Sequence, residues 1–348
     1  MNTRTPPHPS ATLAVFDGLG RGEPSPEWVA EGIRSNWLPS SADLRVTLIA
    51  VSENATFVVE AGDRRIMVVR LQRPGYVTED NVRSELEWIE ALSHESGVTT
   101  PAPIRGIDGQ LVQVITASEG SRWTAVAFEH VHGSVLEEHD DPAVHFAEIG
   151  RVSGILHEHS RRWVPPRGFT RFAWTLDDMV GAQARWGSWA NAPVSRSEAE
   201  LLARAQDVAV SSLSSFEANT QTWGLIHSDL RPSNIMVSSG ELTVIDFDDA
   251  GYSWYLYDFA SALTFYEHRE VARTMAKEWL RGYSEVVPLS PVDLRHAVDL
   301  SMIRRLTMLG WSTTHRADAL PPDLWAENLP GTIEVAERFV RNPLWLVE

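Results

Sequence analysis

Residues 225–249 decide the reading of this chain: Leu225-Ile226-His227-Ser228-Asp229-Leu230-Arg231-Pro232-Ser233-Asn234-Ile235-Met236-Val237-Ser238-Ser239-Gly240-Glu241-Leu242-Thr243-Val244-Ile245-Asp246-Phe247-Asp248-Asp249. The apolar pieces Ile235–Val237 and Leu242–Ile245, joined by a short turn, form a hairpin. Asp229 and Asn234 precede it in a loop, and Asp246 follows it. One carboxylate that orients a hydroxyl and accepts its proton, plus a second carboxylate and an amide oxygen that hold Mg²⁺ against phosphates, is what phosphoryl transfer asks of a protein. Asp229 takes the first role, and Asn234 and Asp246 take the second, with Asp248 as a further metal ligand. Arg231, two residues beyond Asp229, offers a cation for the transferring phosphoryl group. His227 reads as a structural residue that holds the loop, with Asp258 its candidate partner. Single H-x-D triplets arise by chance; the triplet followed by Asn234, a hairpin and an apolar strand ending in Asp246-Phe247-Asp248 is far more demanding.

Working outward, the N-terminal part alternates strand and helix signals. Residues 1–24 are rich in Pro, Gly, Ser and Thr and read as a flexible segment. Ser25-Pro26-Glu27 starts a helix that runs to about Trp37 and stops at Pro39-Ser40-Ser41. Strands are expected over Arg45–Val51, Thr56–Glu60 and Arg65–Leu71, with a turn at Gly62-Asp63. A helix over Thr78–Leu92 follows, then strands at Leu111–Ile115 and Ala125–Glu129. The organisation expected is a small β-rich lobe over 25–131 and a larger, mainly helical lobe over 132–348, sharing a hinge near Phe128–Gly133. Helices are expected over Phe146–His159, Leu176–Trp189 and Glu198–Phe216, and through most of Tyr257–Val347.

Composition removes several classes. The chain has 348 residues, a formal net charge of −17 and no cysteine. It therefore has no thiolate nucleophile, disulfide framework or cysteine-bound metal. The acidity repels nucleic acid and anionic membranes and favours a cationic partner. No signal peptide and no apolar run of about 18 residues is visible, so the expected location is the cytoplasm, without a membrane anchor. Lys277 is the one lysine of the chain, so any cation serving phosphates in the first lobe is an arginine.

With these residues in view, the chain resembles the aminoglycoside phosphotransferase/choline kinase superfamily of protein-kinase-like enzymes, within it most of all the stress response kinase A type. The resemblance spans about Glu27 to Trp311. Besides the loop it rests on Ser52-Glu53-Asn54-Ala55-Thr56-Phe57, Val68-Val69-Arg70-Leu71-Gln72-Arg73-Pro74, Phe128-Glu129-His130-Val131-His132-Gly133, Gly150-x-x-x-Gly154-x-Leu156-His157, Asp246-Phe247-Asp248-Asp249-Ala250 and Tyr257-Asp258-Phe259-Ala260. It implies an α+β, bilobal kinase-like fold and a phosphotransferase that uses ATP or GTP with Mg²⁺. It assigns Ser52, Glu53 and Asn54 to a loop over the phosphates and Arg70 with Glu85 to the phosphate cation and its partner. Phe128, Glu129 and Val131 become the adenine-contacting hinge. Strand alternation puts Arg70 on the face of Val68, with Arg73 and Arg65 as alternatives, and Glu87 competes with Glu85.

The expected acceptor is the hydroxyl of a small molecule such as an aminoglycoside, amino alcohol or sugar. A serine/threonine protein kinase and a nucleotide-binding regulatory module are the alternatives. Trp254, Tyr255, Tyr257, Phe265, Tyr266 and Trp311 suggest an aromatic acceptor wall, with His268 and His315 nearby, although tryptophan in a helix is more often core. Asp248, Asp249, Glu267 and Asp177-Asp178 are the acidic candidates for a cationic acceptor. The Glu137–Asp141 run reads as a solvated loop.

Overall fold

Three strands follow one another in the N-terminal part of the chain because alternating apolar residues, a tight turn and β-branched side chains recur there. The computed structural model describes residues 14–16, 19–38, 43–52, 54–182, 184–315 and 319–348. Much of the 1–24 segment, the Pro39-Ser40-Ser41 helix stop and Glu53 lie outside the described residues. The chain divides into two compact units: Met1–Ser93, Thr100–His132 and Pro165–Thr170 in the first, and His94–Thr99, Gly133–Val164 and Arg171–Glu348 in the second.

In the first unit, helix α1 (Glu27–Trp37) precedes β1 (Leu44–Val51), β2 (Asn54–Ala61) and β3 (Arg64–Gln72), and α2 (Glu79–Glu95) follows. β4 (Pro103–Ile104), β5 (Gln113–Thr116) and β6 (Arg122–Glu129) complete the sheet, in which β1, β2, β3 and β6 lie side by side and β4 and β5 both pair with β6. Every pairing is antiparallel. Val46, Leu48, Phe57, Val59, Met67, Val69, Trp123 and Ala125 close a core with Val29 and Ile33 of α1. Phe16 belongs to this core, with its ring 5.4 Å from Trp123 and 5.8 Å from Phe57, so part of the segment read as flexible is packed.

The second unit begins with β7 (Ser134–Val135) and α3 (Phe146–Arg162), followed by the short α4 (Leu176–Val180) and by α5 (Arg196–Leu213). Next come β8 (Trp223–Ile226), β9 (Ile235–Ser238), β10 (Glu241–Val244) and β11 (Gly251–Trp254). The unit ends in α6 (Tyr257–Ala262), α7 (Ala272–Ser284), α8 (Pro291–Ser312) and α9 (Pro322–Arg341). β9 and β10 form the expected hairpin, with Val244 opposite Ile235, and β11 pairs with β8. Gly150 and Gly282 let α3 and α7 touch through backbone. A Cβ on Gly150 would lie 2.0 Å from the Trp279 carbonyl oxygen, and one on Gly282 would lie 1.7 Å from that of Ala147.

α8 is buried without a break from His296 to Trp311, which makes it the central helix of the unit. Its start is fixed by a capping box between Ser290 and Asp293 with Pro291 at the first helical position. The helix expected over Leu176–Trp189 stops at Val180. At Gly181 the chain turns extended, and a Cβ there would lie 2.1 Å from Asp177 Oδ1. No helix among the described residues is long and apolar enough to cross a membrane.

Candidate active site

The loop between β8 and β9 carries Asp229 and is pinned from beneath by Asp258, at the start of α6. Asp258 Oδ2 accepts the His227 backbone N–H at 3.1 Å, and Oδ1 accepts that of Ser228 at 2.8 Å. His157 of α3 adds a third bond, its Nε2 lying 3.0 Å from Asp258 Oδ2, while its Nδ1 lies 3.0 Å from the Tyr283 hydroxyl. Burial pushes the His157 pKa down, against the pull of Asp258. The ring is therefore neutral, donating from Nε2 to the carboxylate and accepting from the hydroxyl of Tyr283, whose pKa burial raises. His227 Nε2 donates to the Ile245 carbonyl at 3.0 Å, leaving Nδ1 to accept the Asp229 N–H at 3.3 Å. Its ring also packs on Phe247, with centroids 4.5 Å apart. His227 thus ties the loop to the end of the hairpin, and Asp258, its candidate partner, anchors the loop backbone.

Ser228 at φ 69° and Asp246 at φ 64° adopt the left-handed conformation that non-glycine residues rarely take. Such geometry persists only where neighbours over-determine it. At Ser228 these neighbours are Asp258 and, on the carbonyl side, Arg304, whose Nη1 donates at 3.2 Å. The Asp246 segment is held at its main chain. Arg171 donates to the carbonyls of Asp248 and Ala250, and Trp174 Nε1 donates to that of Asp249 at 2.8 Å. Asp248 and Asp249 are both buried.

The Asp229 carboxylate is 15% exposed and engaged at both oxygens. Oδ1 accepts from Nη2 of Arg304. Oδ2 accepts from Asn234 Nδ2 at 2.8 Å and Arg231 Nε at 3.3 Å. Asn234 Nδ2 also donates to the Asp229 carbonyl at 2.8 Å, so its Oδ1 is turned the other way, 3.5 Å from the Ser233 hydroxyl. The loop thus gathers Asp229, Arg231 and Asn234, while the Ile245 N–H bonds to the Asn234 carbonyl at 3.0 Å and joins the hairpin's exit to the same loop. Asn234, Asp246 and Asp248 are all hard oxygen donors, the chemistry Mg²⁺ prefers. Among the described residues no group of three His, Asp or Glu side chains forms a metal cage.

In the first unit, Arg70 and Glu85 meet at 2.6 Å, both buried. Arg70 also lies over the Phe128 ring at 5.7 Å. With the Gln72 amide turned so that its oxygen faces Arg70, it accepts from Nε and Nη2 at 2.9 Å each and donates to Asn54 Oδ1 at 2.8 Å. Asn54 is buried, and its Oδ1 accepts the Arg73 N–H at 3.3 Å. The Ser52 N–H bonds to the Asn54 carbonyl at 3.0 Å. Arg73 is buried against the Tyr76 ring at 4.2 Å. Phe128 and Glu129 end β6, where the Glu129 N–H bonds to Ala102 at 2.9 Å, and Val131 follows.

The acceptor-side reading needs three corrections. Glu267 is fully buried and pairs with Arg305 at 2.9 Å, so it serves the interior; desolvation outweighs the arginine and raises its pKa. The aromatic residues expected to form a wall are core: Trp254, Tyr255, Tyr257, Phe265, Tyr266 and Trp311 are all buried. Trp254 lies 4.9 Å from Trp223, and Trp311 stacks on His315 at 4.3 Å. Glu137 is not on a solvated loop: it sits in the 3₁₀ turn Leu136–Glu138, half-buried, and desolvation raises its pKa against the charge of Arg231. A cavity of about 440 Å³ in the second unit is lined by Glu158, His159, Arg162 and Trp163 and by none of the loop residues. Arg304, Arg171 and Trp174 escaped the sequence reading. The signal for the first was present: Arg304-Arg305 interrupts the apolar run Met302 to Trp311 of a helix, and arginines in such a run must find internal partners.

Both units together define a kinase-type phosphotransferase: an antiparallel sheet carrying a buried Arg–Glu pair, and a helical part carrying an H-x-D loop and an Asp-Phe-Asp strand end. A family model described as the phosphotransferase enzyme family matches residues 45–292, and the chain belongs to that family. The solved microcompartment-associated aminopropanol kinase is 32% identical, with a TM-score of 0.82 over 92% of this chain and 99% of that one. Amicoumacin kinase of Bacillus subtilis (strain 168) is 22% identical over 277 residues, 76% of this chain and 79% of its own length. The solved amicoumacin kinase hAmiN, in complex with AMP-PNP, Ca²⁺ and Ami, has a TM-score of 0.71 at 19% identity over 91% of this chain and 94% of its own. Stress response kinase A of Salmonella typhi is 23% identical over 314 residues, 87% of this chain and 90% of its own length. The chain is accordingly a phosphotransferase of kinase type, with a protein-kinase-like fold and a hydroxyl group as acceptor.

Proposed function

We propose that the chain transfers the γ-phosphate of Mg²⁺-ATP to the hydroxyl of a small amino alcohol of the aminopropanol type. The observation that carries the acceptor class is the 32% identity to an aminopropanol kinase across nearly the whole of both chains. A cationic acceptor also suits a chain of net charge −17. In this reading Asp229 orients the hydroxyl and takes its proton, and Arg231 meets the transferring phosphoryl group. Asn234, Asp246 and Asp248 hold Mg²⁺, which when bound neutralises phosphate charge. Arg70, kept in place by Glu85, serves the inner phosphates together with Ser52 and Asn54, and Phe128, Glu129 and Val131 supply backbone to adenine.

The test is ATP consumption with 1-amino-2-propanol, ethanolamine, choline, kanamycin, amicoumacin and a generic serine/threonine protein substrate. The expected result is turnover of the short amino alcohols with kcat/KM at least ~10³-fold above choline and kanamycin, since lost polar pairing is worth orders of magnitude. Preferential turnover of amicoumacin would move the acceptor class toward the antibiotic kinases. Preferential turnover of the protein substrate would overturn the small-molecule assignment.

A further inference from the structure

Asp229 receives a charged partner that the loop does not supply. Arg304 comes from the middle of α8, 75 residues further along the chain, and is completely buried. Each arm of its guanidinium is engaged. Nε donates to the Thr264 hydroxyl at 3.1 Å, and Nη1 to the Ser228 carbonyl at 3.2 Å and the Tyr257 hydroxyl at 3.4 Å. Nη2 donates to Asp229 Oδ1. The Trp186 ring covers the plane at 5.0 Å. A buried guanidinium stays charged, and one fixed at three corners cannot follow a side chain that moves. Arg231, on the other oxygen, is held differently: its side chain is 17% exposed and its bond to Oδ2 is 3.3 Å long.

We infer that Arg304 is the positioning residue of the transfer step, fixing Oδ1 of Asp229 so that Oδ2 is the oxygen presented to the acceptor. This rests on the reading of Asp229 as the base. The acceptor hydroxyl displaces the long contact of Arg231 and hydrogen-bonds to Oδ2, with Asn234 Nδ2 holding that oxygen from the side. The acceptor O–H proton passes to Oδ2 as the acceptor oxygen bonds to the γ-phosphorus. The bond from that phosphorus to the β–γ bridging oxygen breaks, and ADP leaves with its electron pair. Arg304 touches neither reactant. It acts by removing the rotational freedom of the carboxylate, because a misplacement of about 1 Å is worth up to about 10²-fold in rate.

A double-mutant cycle on the full chain tests this, with kcat, nucleotide KM and Tm read for Arg304→Met, Asp229→Asn and the pair. Arg304→Met should lower kcat about 10–10²-fold with nucleotide KM within about twofold, and Arg304→Lys should recover part of the loss. In the Asp229→Asn background, Arg304→Met should change kcat by less than about threefold, because its route to the reaction is already gone. Additive losses, or full kcat in Arg304→Met, overturn the proposal. If Asp229→Asn itself keeps kcat, the base reading fails instead. Should Arg304→Met not fold, Thr264→Val loosens the guanidinium without stranding a charge. It should lower kcat in the native background and not in the Asp229→Asn background, and equal losses in both overturn the proposal.

Discussion

Asp258→Asn separates holding the proposed catalytic loop from performing its chemistry. Asp258 is completely buried and satisfies three donors: the backbone N–H groups of His227 and Ser228 and Nε2–H of His157. An amide is nearly isosteric but offers one oxygen. Placed at Oδ2, it keeps His227 and His157 and turns an NH₂ toward the Ser228 N–H. A stranded buried donor costs about 1–3 kcal/mol, and weakening two charge-assisted bonds adds roughly 1–2 kcal/mol. The sum, about 2–5 kcal/mol, is within reach of a domain stable by about 5–15 kcal/mol, so the variant should fold with a Tm lowered by roughly 5–20 °C. The position that suffers is Ser228, at φ 69°. Without the Asp258 bond it has less reason to stay in a conformation costing about 1–3 kcal/mol, and Asp229 moves with it. Steady-state kinetics should show kcat down about 10–10²-fold with nucleotide affinity within about threefold of the native value. Adding Ser228→Gly, which adopts positive φ freely, should return part of kcat. Full kcat in Asp258→Asn, or an equal loss of nucleotide binding, would refute the argument that this carboxylate acts through the loop.

Glu85→Gln should destabilise the chain by about 3–5 kcal/mol by leaving Arg70 buried without its carboxylate, and should raise nucleotide KM; Arg73→Ala, which strips a side chain from Tyr76, should lower Tm while leaving nucleotide KM within about twofold. Asp229→Asn should cut kcat about 10²–10⁴-fold with nucleotide affinity nearly kept, whereas Asp246→Asn should weaken metal and nucleotide together and respond to added Mg²⁺; single-turnover rates and Mg²⁺-ATP titrations tell them apart. Nucleotide affinity by calorimetry should fall at least ~10-fold without a divalent cation, and equal affinities would remove the metal assignment. His157 has a folded-state pKa below its unfolded value because burial disfavours the cation, so the unfolded chain binds the extra proton and this contribution to stability, full above the unfolded pKa, is lost as pH falls. Tm measured at about pH 7.5 and 5.5 should drop more in the native chain than in His157→Gln, and parallel drops would contradict the buried neutral ring.

Local chemistry explains which parts of this molecule could be read in advance. The β1–β3 meander was legible because period-two alternation and Gly62 at φ 58° fix register within a few residues. The loop from His227 to Asn234 was legible because its chemistry sits within one short stretch. β4, β7 and β11 were not, since strands of two to four residues are made by distant partners and not by their own pattern. The helix read over Leu176–Trp189 ran too far because it passed through Gly181, where the chain leaves the helix. The aromatic residues after Trp254 misled for a different reason. Periodicity says that a ring faces inward, but a packed core and a ligand wall present the same pattern. Only the neighbours distinguish them, as when Tyr255 proves to lie over His157 at 4.8 Å and under Arg161 at 4.6 Å.

Net charge misleads in a related way, because it averages over the arrangement that matters. The chain carries −17, yet three arginines of the second unit serve the Asp229 loop and the strand end beyond it. Arg304 and Arg231 go to Asp229, and Arg171 goes to main-chain carbonyls of the segment after Asp246. Counting Asp229, Asp246, Asp248 and Asp249 against Arg171, Arg231 and Arg304, four carboxylates face three guanidiniums, leaving one negative charge. A triphosphate would not be drawn to that set unaided, and two more positive charges from a divalent cation reverse its sign. Arg305 cannot help, since it is closed into its own pair with Glu267. The divalent cation proposed for Asn234, Asp246 and Asp248 would supply that charge, and the closure of Arg304 and Arg305 into their own partners is set by the crossing of helices and not by the composition of the chain.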